Sequence, residues 1–249
     1  MQHREADKTK PARAGLQDKT AVVTGASSGI GRAVALKLAA AGARLCLLGR
    51  DEARLREVAA ATGAPKRTQI YAFDLTDDGA LAGFGDNLKG ESIVPDILVH
   101  SAGVVALAEV AAASLADLDL QYRVNLRAPY ALTQALLPGL EARRGQVVFI
   151  NSGSGLSARA GWSQYAATKH ALKALADSLR EEVAAQGVRV ISVYPGRTAG
   201  PMQEAVHKLE GKPYQAERFI RPEDVAGVVR HALELPRSAV MTDVSLGVA

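Results

Sequence analysis

Short apolar runs recur along the chain: TAVVT (20–24), RLCLL (44–48), TQIYAF (68–73), DILVH (96–100), QVVFI (146–150), VRVISVY (188–194) and MTDVSL (241–246). Each is nearly continuous in apolar or β-branched residues, as strands buried on both faces are. Between them apolar residues step by three and four, which predicts helices over 32–42, 51–62, 115–140, 163–186 and 222–235. Gly42 suits the position just past a helix end. Asp51 and Glu52, then Pro222-Glu223-Asp224, suit helix starts. Strands alternating with helices predict the α/β class: one doubly wound parallel sheet of seven strands, with helices on both faces. Residues 1–17 are charged and read as a disordered tail, leaving 18–249 as a single domain. The stretch 195–221 is rich in Gly, Pro and charge and follows a strand, at the edge where such sheets bind ligands. It is a candidate lid, with a substrate loop at about 197–221.

Composition narrows the function classes. The 249 residues are 48% apolar, enough for a sizeable core. No uncharged apolar run is long enough to span a membrane. The start, MQHREADKTKPARAG, has no apolar h-region, and its Glu5 and Asp7 do not suit a transit peptide. Cys46 is the single cysteine, so no disulfide forms within one chain, and a cytoplasmic location is expected. The net charge of +4 is dispersed and aromatics are 4%, which argues against a nucleic-acid surface. A small-molecule partner is expected, with no membrane and no metal.

The stretch TGASSGIG (24–31) joins the first strand to the first helix. Gly25, Gly29 and Gly31 allow a tight turn and close ligand approach, and the helix start offers free N–H groups to a phosphate. The order G-x-x-x-G-x-G lacks the lysine of a P-loop. Its place after the first strand points to a dinucleotide. NAD sites usually put an acid at the end of the second strand, where this chain has Gly49-Arg50. An Arg fork pairs with a 2′-phosphate, so NADP(H) is favoured and NAD(H) is the alternative. Asp51 could supply the acid from the next position.

A second constellation is YAATK, Tyr165 to Lys169. Residues four apart share a helix face. Tyrosine titrates near ~10, and an ammonium close by favours the phenolate. A tyrosine so tuned can act as general acid or base. The strand QVVFI ends at Asn151-Ser152, so the Ser152 hydroxyl could bond a substrate oxygen beside the phenol. Ser154 and Ser157, on the same loop, are rivals.

From about residue 18 to the end the sequence resembles the short-chain dehydrogenase/reductase family. The motifs stand in the family's order: TGASSGIG (24–31), including Ser27, Ser28 and Ile30; Asp74-Leu75; Ser101-Ala102-Gly103; Asn125 in RVNLRAPY; Ser152, Tyr165 and Lys169; and YPGRT (194–198), with Pro195, Gly196 and Thr198. The resemblance implies a Rossmann-like fold and hydride transfer between a nicotinamide and a carbonyl or carbinol carbon. It implies that Tyr165 exchanges the proton. Lys169 lowers its pKa and holds the nicotinamide ribose, Ser152 polarises the carbonyl, and Asn125 positions a water linking Lys169 to solvent. Asp74 corresponds to the acid that contacts adenine. A homodimer or homotetramer through 115–140 and 163–186 is also implied.

Two positions depart from the pattern. Ser101 stands where the family usually has asparagine, so a changed brace of the central strand is expected. Beside it, His100 reads as a strand-end histidine with a satisfied bond. Gly200 replaces a threonine, so Thr198 is expected to take over bonding to the cofactor. Val104, Leu156, Trp162, Met202, Leu209, Tyr214 and Phe219 are candidate walls of an apolar substrate pocket, and Arg159 and Arg197 could attract an anion. The leading reading is an NADP(H)-dependent oxidoreductase of a ketone or aldehyde and its alcohol. The alternatives are a catalytically silent nucleotide sensor and an NAD-dependent alcohol or sugar dehydrogenase.

Overall fold

The computed structural model describes residues 15–249. The strands are β1 (Thr20–Thr24), β2 (Arg44–Gly49), β3 (Thr68–Ala72), β4 (Ile97–His100), β5 (Gln146–Ile150), β6 (Arg189–Pro195) and β7 (Asp243–Leu246). All pair in parallel in one sheet, ordered β3-β2-β1-β4-β5-β6-β7. Among the described residues the helices are α1 (Gly29–Ala40), α2 (Glu52–Ala61), α3 (Asp78–Gly90), α4 (Leu115–Tyr122), α5 (Ala128–Ala142), α6 (Ser163–Glu182), α7 (Pro201–Leu209) and α8 (Pro222–Glu234). Of the expected tail, residues 1–14 lie outside the described residues, and Leu16 packs into the core.

The strands bury both faces, which is why they read as unbroken apolar runs rather than as alternation. Val23, Leu45, Leu47, Val99, Val148 and Val193 face α1, α2 and α8, meeting Val34, Leu38, Leu55, Val225 and Val229. Val22, Cys46, Leu48, Leu98, Val147 and Phe149 face the other layer, meeting Phe84 and Leu88 of α3, Leu132 and Leu136 of α5, and Leu172 and Leu179 of α6. Cys46 is one such side chain, and burial pushes its thiol up to about 12.

Three expectations change. Residues 78–90 form α3, for which the apolar pattern predicts no helix. Its glycines dilute the apolar stripe, yet Leu81, Phe84 and Leu88 still fall on one buried face. The predicted helix over 115–140 is α4 and α5 joined by a single π turn, Arg123–Arg127, which carries Asn125. The irregular 195–221 stretch contains α7, started by Pro201 behind Gly200 at φ 142°. Proline suits a first helical turn and glycine the left-handed backbone before it.

Strand order reverses between β1 and β4, and such a switch point opens a crevice at the carboxyl ends. Thr24 closes its floor. Its hydroxyl accepts from the N–H groups of Ser101 (3.0 Å) and Ala102 (3.1 Å) and donates to the Val99 carbonyl (3.4 Å). His100 lies behind. It is buried and bonded through Nε2 to the Thr133 hydroxyl (2.8 Å), and it stacks on Phe149 at 4.9 Å.

Burial holds the His100 imidazole neutral, down to about 3 from its ordinary 6.5. Between those values the unfolded chain binds a proton that the folded one does not, so stability is full above pH 6.5 and falls as pH drops below it. His100→Leu is expected to flatten the loss of stability between pH 6.5 and 4, measured by urea denaturation. An unchanged slope would mean that carboxylates alone set the acid limit.

Candidate active site

The carboxyl edges of β1, β2, β4, β5 and β6 surround one cleft of about 590 Å³. Its lining includes Gly25 and Ser27 to Gly31, Arg50, Asp74 and Leu75, Ser101 to Gly103, Ser152, Tyr165, Lys169, and Pro195 to Thr198. Of the predicted site residues only Asn125 stands behind the wall.

Two of the loop glycines are needed for packing. A Cβ on Gly31 would lie 2.3 Å from the Gly25 carbonyl oxygen, and one on Gly25 would lie 2.8 Å from the Ala102 Cα. So the glycines at 25 and 31 let the β1 loop fold onto its own helix and onto the β4 loop. That brings the α1 start to the cleft floor. α1 has no side-chain cap from Ser28 and no acid in its first turn. By contrast α2, α3 and α4 are capped by Asp51, Asp77 and Ser114. An uncapped helix start with free N–H groups facing a cleft suits a diphosphate.

At the far end of β2, Arg50 lies opposite Asp74. The Asp74 carboxyl is held below its usual range, chiefly by the Thr76 N–H (2.8 Å), with the Thr76 hydroxyl, Arg50 and Arg123 adding. Asp51 is committed elsewhere, since its side chain caps α2 at the Arg54 N–H (3.0 Å).

At the other end Tyr165 and Lys169 share the inner face of α6, 6% and 3% exposed. The Lys169 ammonium sits 5.8 Å from the centre of the Tyr165 ring and donates to the Ile150 carbonyl at 3.2 Å. The Ser152 side chain lies beside the phenol, and its hydroxyl accepts from Ser154 N (3.1 Å). The Tyr165 pKa is raised overall rather than lowered as expected. Burial dominates and raises the phenol, with Ser152 partly opposing it. Burial also pulls Lys169 down to about 8.

Asn125 stands behind the cleft wall, and its amide makes three hydrogen bonds. It accepts from Val104 N (2.9 Å) and donates to the Val104 carbonyl (2.9 Å) and the Thr168 hydroxyl (3.1 Å). Thr168 in turn donates to the Tyr165 carbonyl (2.8 Å). Asn125 therefore ties the β4 loop to α6, and the π turn sets it at that height. The Ser101 hydroxyl braces nothing. It is buried without a partner among the described residues, and Thr24 makes the brace instead. Thr198 bonds the Gly196 carbonyl (3.1 Å), so it closes its own turn.

Sequence reasoning missed Thr24, Asn151 and Thr168. Asn151 donates to the Lys169 carbonyl (3.1 Å), fixing α6 against the end of β5. Their signal was adjacency, since each lies within or beside a motif already singled out. Among the apolar wall candidates, Val104, Trp162 and Met202 line the cleft. Leu156 and Leu209 are exposed instead. Tyr214 and Phe219 stack on each other at 5.7 Å and against His207 behind α7, and the Tyr214 hydroxyl accepts from Gly200 N (2.8 Å).

The sequence model of the short chain dehydrogenase family matches residues 19–211. The chain belongs to the short-chain dehydrogenase/reductase family. It is similar to an uncharacterised short-chain type dehydrogenase/reductase of Sinorhizobium fredii, 38% identical over 88% of this chain and 86% of the relative. An uncharacterised oxidoreductase of Staphylococcus epidermidis is 33% identical over 93% of this chain and 97% of its own. Among solved structures, a 3-oxoacyl (acyl-carrier-protein) reductase of Agrobacterium tumefaciens with NADP bound superposes with a TM-score of 0.83, at 30% identity, over 93% of this chain and 94% of that one. Among the described residues of this short-chain dehydrogenase/reductase, no helix is long and apolar enough to cross a membrane, and no His/Cys/Asp/Glu group could hold a metal.

In this short-chain dehydrogenase/reductase the buried ammonium is a stability liability. In the folded chain Lys169 loses its proton near 8, against 10.5 unfolded. The cost is therefore full below pH 8 and is relieved as pH rises toward 10.5. Lys169→Met is expected to raise unfolding stability at pH 7 by at most about 3 kcal/mol, with no such gain near pH 10. Chemical denaturation at the two pH values checks it, and equal differences at both would refute the liability.

Proposed function

We propose that this protein is an NADP(H)-dependent oxidoreductase that interconverts a ketone or aldehyde with its alcohol, with Tyr165 as general acid and base. The observation that supports it is the meeting in one cleft of the uncapped α1 start with Ser152 and the buried Tyr165 and Lys169. The residues fit the cofactor. The α1 N–H groups of Gly29, Ile30 and Gly31 would hold the diphosphate, and Arg50 the 2′-phosphate. Asp74 and Leu75, which line the cleft at the Arg50 end, would hold the adenine. An ammonium has three donors, and the hydrogen bond to Ile150 engages one of them, so Lys169 can also hold the nicotinamide ribose. The partnerless Ser101 hydroxyl is a further group this ligand could satisfy. When bound, the reduced nicotinamide supplies a hydride to the carbonyl carbon.

The chain's own part is the proton and the charge. Ser152 donates a hydrogen bond to the substrate oxygen and polarises the carbonyl. As negative charge develops on that oxygen, Tyr165 gives it the phenolic proton. Lys169, while protonated, stabilises the phenolate left behind. Asn125 and Asn151 keep the β4 loop, the β5 end and α6 in register, so the phenol stays aimed. Burial raises the phenol, so it starts as the proton donor that carbonyl reduction requires. The rival reading as a silent nucleotide sensor is disfavoured by the intact Ser152, Tyr165 and Lys169 group. A homodimer or homotetramer would use the outer faces of α4 to α6, where Leu115, Tyr122 and Tyr130 are exposed. The buried Cys46 thiol suits a cytoplasmic setting.

Tyr165→Phe is expected to cut carbonyl reduction by roughly 10²–10⁴-fold while NADPH binding, read by nucleotide fluorescence, persists. Unchanged turnover would defeat the mechanism. Arg50→Ala should narrow the NADPH over NADH preference by about tenfold, and an unaltered ratio would refute the 2′-phosphate assignment. The kcat/KM for reduction should hold steady below pH 7 and decline as pH passes about 8, where Lys169 loses its charge. A rising profile there would contradict that role.

A further inference from the structure

The charges around the cleft are unevenly distributed. Among the described residues the only acid in the lining is Asp74, at the Arg50 end. Around Tyr165 the charged lining residues are Lys169, Arg159 and Arg197, all cationic. Two of these have partners. Lys169 donates to the Ile150 carbonyl. Arg197 forms a forked pair with Glu210, whose Oε2 lies 3.0 Å from Nη1, and Glu210 also takes Lys212 at 3.4 Å. The Arg159 carbonyl accepts from Trp162 N (3.1 Å), but its guanidinium has no hydrogen bond or ion pair among the described residues.

Position says what Arg159 can reach. It lies on the connection from β5 to α6, between Ser152 and Tyr165, so it borders the reacting end rather than the phosphate end. Close by, the Trp162 ring sits edge-on to Tyr165 at 5.9 Å, and the Arg197 guanidinium lies over that ring, also at 5.9 Å. Arg197 is thus pinned by Glu210 and Trp162, and its field adds to that of Arg159 without being free to move. The remaining wall is mostly apolar, with Val104, Val105, Leu120, Val124 and Met202, and carries Ser154 and Gln203 as its polar members. A neutral sugar or polyol would leave its hydroxyls against these side chains, at a cost. A hydrocarbon body with one anionic group fits both features. A planar guanidinium on a solvent-facing loop matches a carboxylate in forked geometry.

We propose that Arg159 is a substrate-binding residue for a carboxylate, so that the substrate class is a hydrocarbon oxo acid with its acid group at the cleft mouth. This rests on the oxidoreductase reading above for the carbonyl chemistry, but not for the binding of the acid. The reacting carbonyl lies against Ser152 and Tyr165, and the acid group points outward to Arg159. Reduction forms a C–H bond from the hydride and an O–H bond from the phenol, and the product is the hydroxy acid.

The test compares 6-oxoheptanoate with its methyl ester on the wild type, Arg159→Gln and Arg159→Lys. With NADPH, kcat/KM is expected to favour the acid in the wild type. Arg159→Gln should lower the acid-to-ester ratio about tenfold, through KM rather than kcat, and Arg159→Lys should retain more of it. Trp162 is the single tryptophan, so its fluorescence reads binding without turnover. The acid should quench it more tightly than the ester, and Arg159→Gln should remove the difference. Equal handling of acid and ester by the wild type, or an unchanged ratio in Arg159→Gln, overturns the proposal. Turnover of neutral ketones without acid preference would sink the proposal and leave the oxidoreductase reading intact. Binding of the acid through Arg159, without turnover of any carbonyl, would do the reverse.

Discussion

An ammonium group is buried at Lys169 with a backbone carbonyl as its hydrogen-bond partner, directly beneath a buried phenol. Charge in such a place is expensive, and the surrounding structure holds it there. α6 is tied to the end of β5 by Asn151 and to the β4 loop by Asn125 and Thr168. Those ties fix the face of α6 that carries Lys169 and Tyr165 against the cleft. The same burial raises the phenol and lowers the amine to about 8, so the two groups titrate further apart than they would in water, with the amine losing its proton first.

At the other end of the cleft the controlling factor is close backbone approach. Gly31 lies against the carbonyl of Gly25, and Gly25 against Ala102, so loop, helix and neighbouring strand meet without side chains between them. Thr24 locks the meeting by taking two N–H groups of the β4 loop. The uncapped α1 start is then held at a fixed height above the switch point. Anion recognition there comes from backbone geometry, while selectivity at the rim falls to a side chain, Arg50.

Between these ends the cleft changes character. Apolar walls and partnered cations surround the phenol, and α7 covers them from one side. α7 is anchored twice: Tyr214 accepts from Gly200 at its start, and Glu210 at its end grips Arg197. Arg197 in turn rests on Trp162, so the cover, the aromatic wall and the phenol form one packed series. Arg159 stands outside that series.

Much of this was legible in the sequence because it depends on local rules. Period and apolar continuity mark the strands and most helices, and spacing alone puts Tyr165 and Lys169 on one helix face. Segments whose local signals conflict with burial were harder to read. α3 hides behind its glycines and α7 behind a composition of Gly, Pro and charge, and both become helices because tertiary contacts bury one face of each. Partnerships across the fold are not periodic. That Asn125 spends its amide on Val104 and Thr168, that Thr24 rather than Ser101 braces β4, and that Glu210 engages Arg197 depend on atoms 13 to 78 residues apart. The chain by itself determined which groups could do chemistry. Folding decided their charge states and free valences, because desolvation and hydrogen-bond competition arise only once distant segments are packed together.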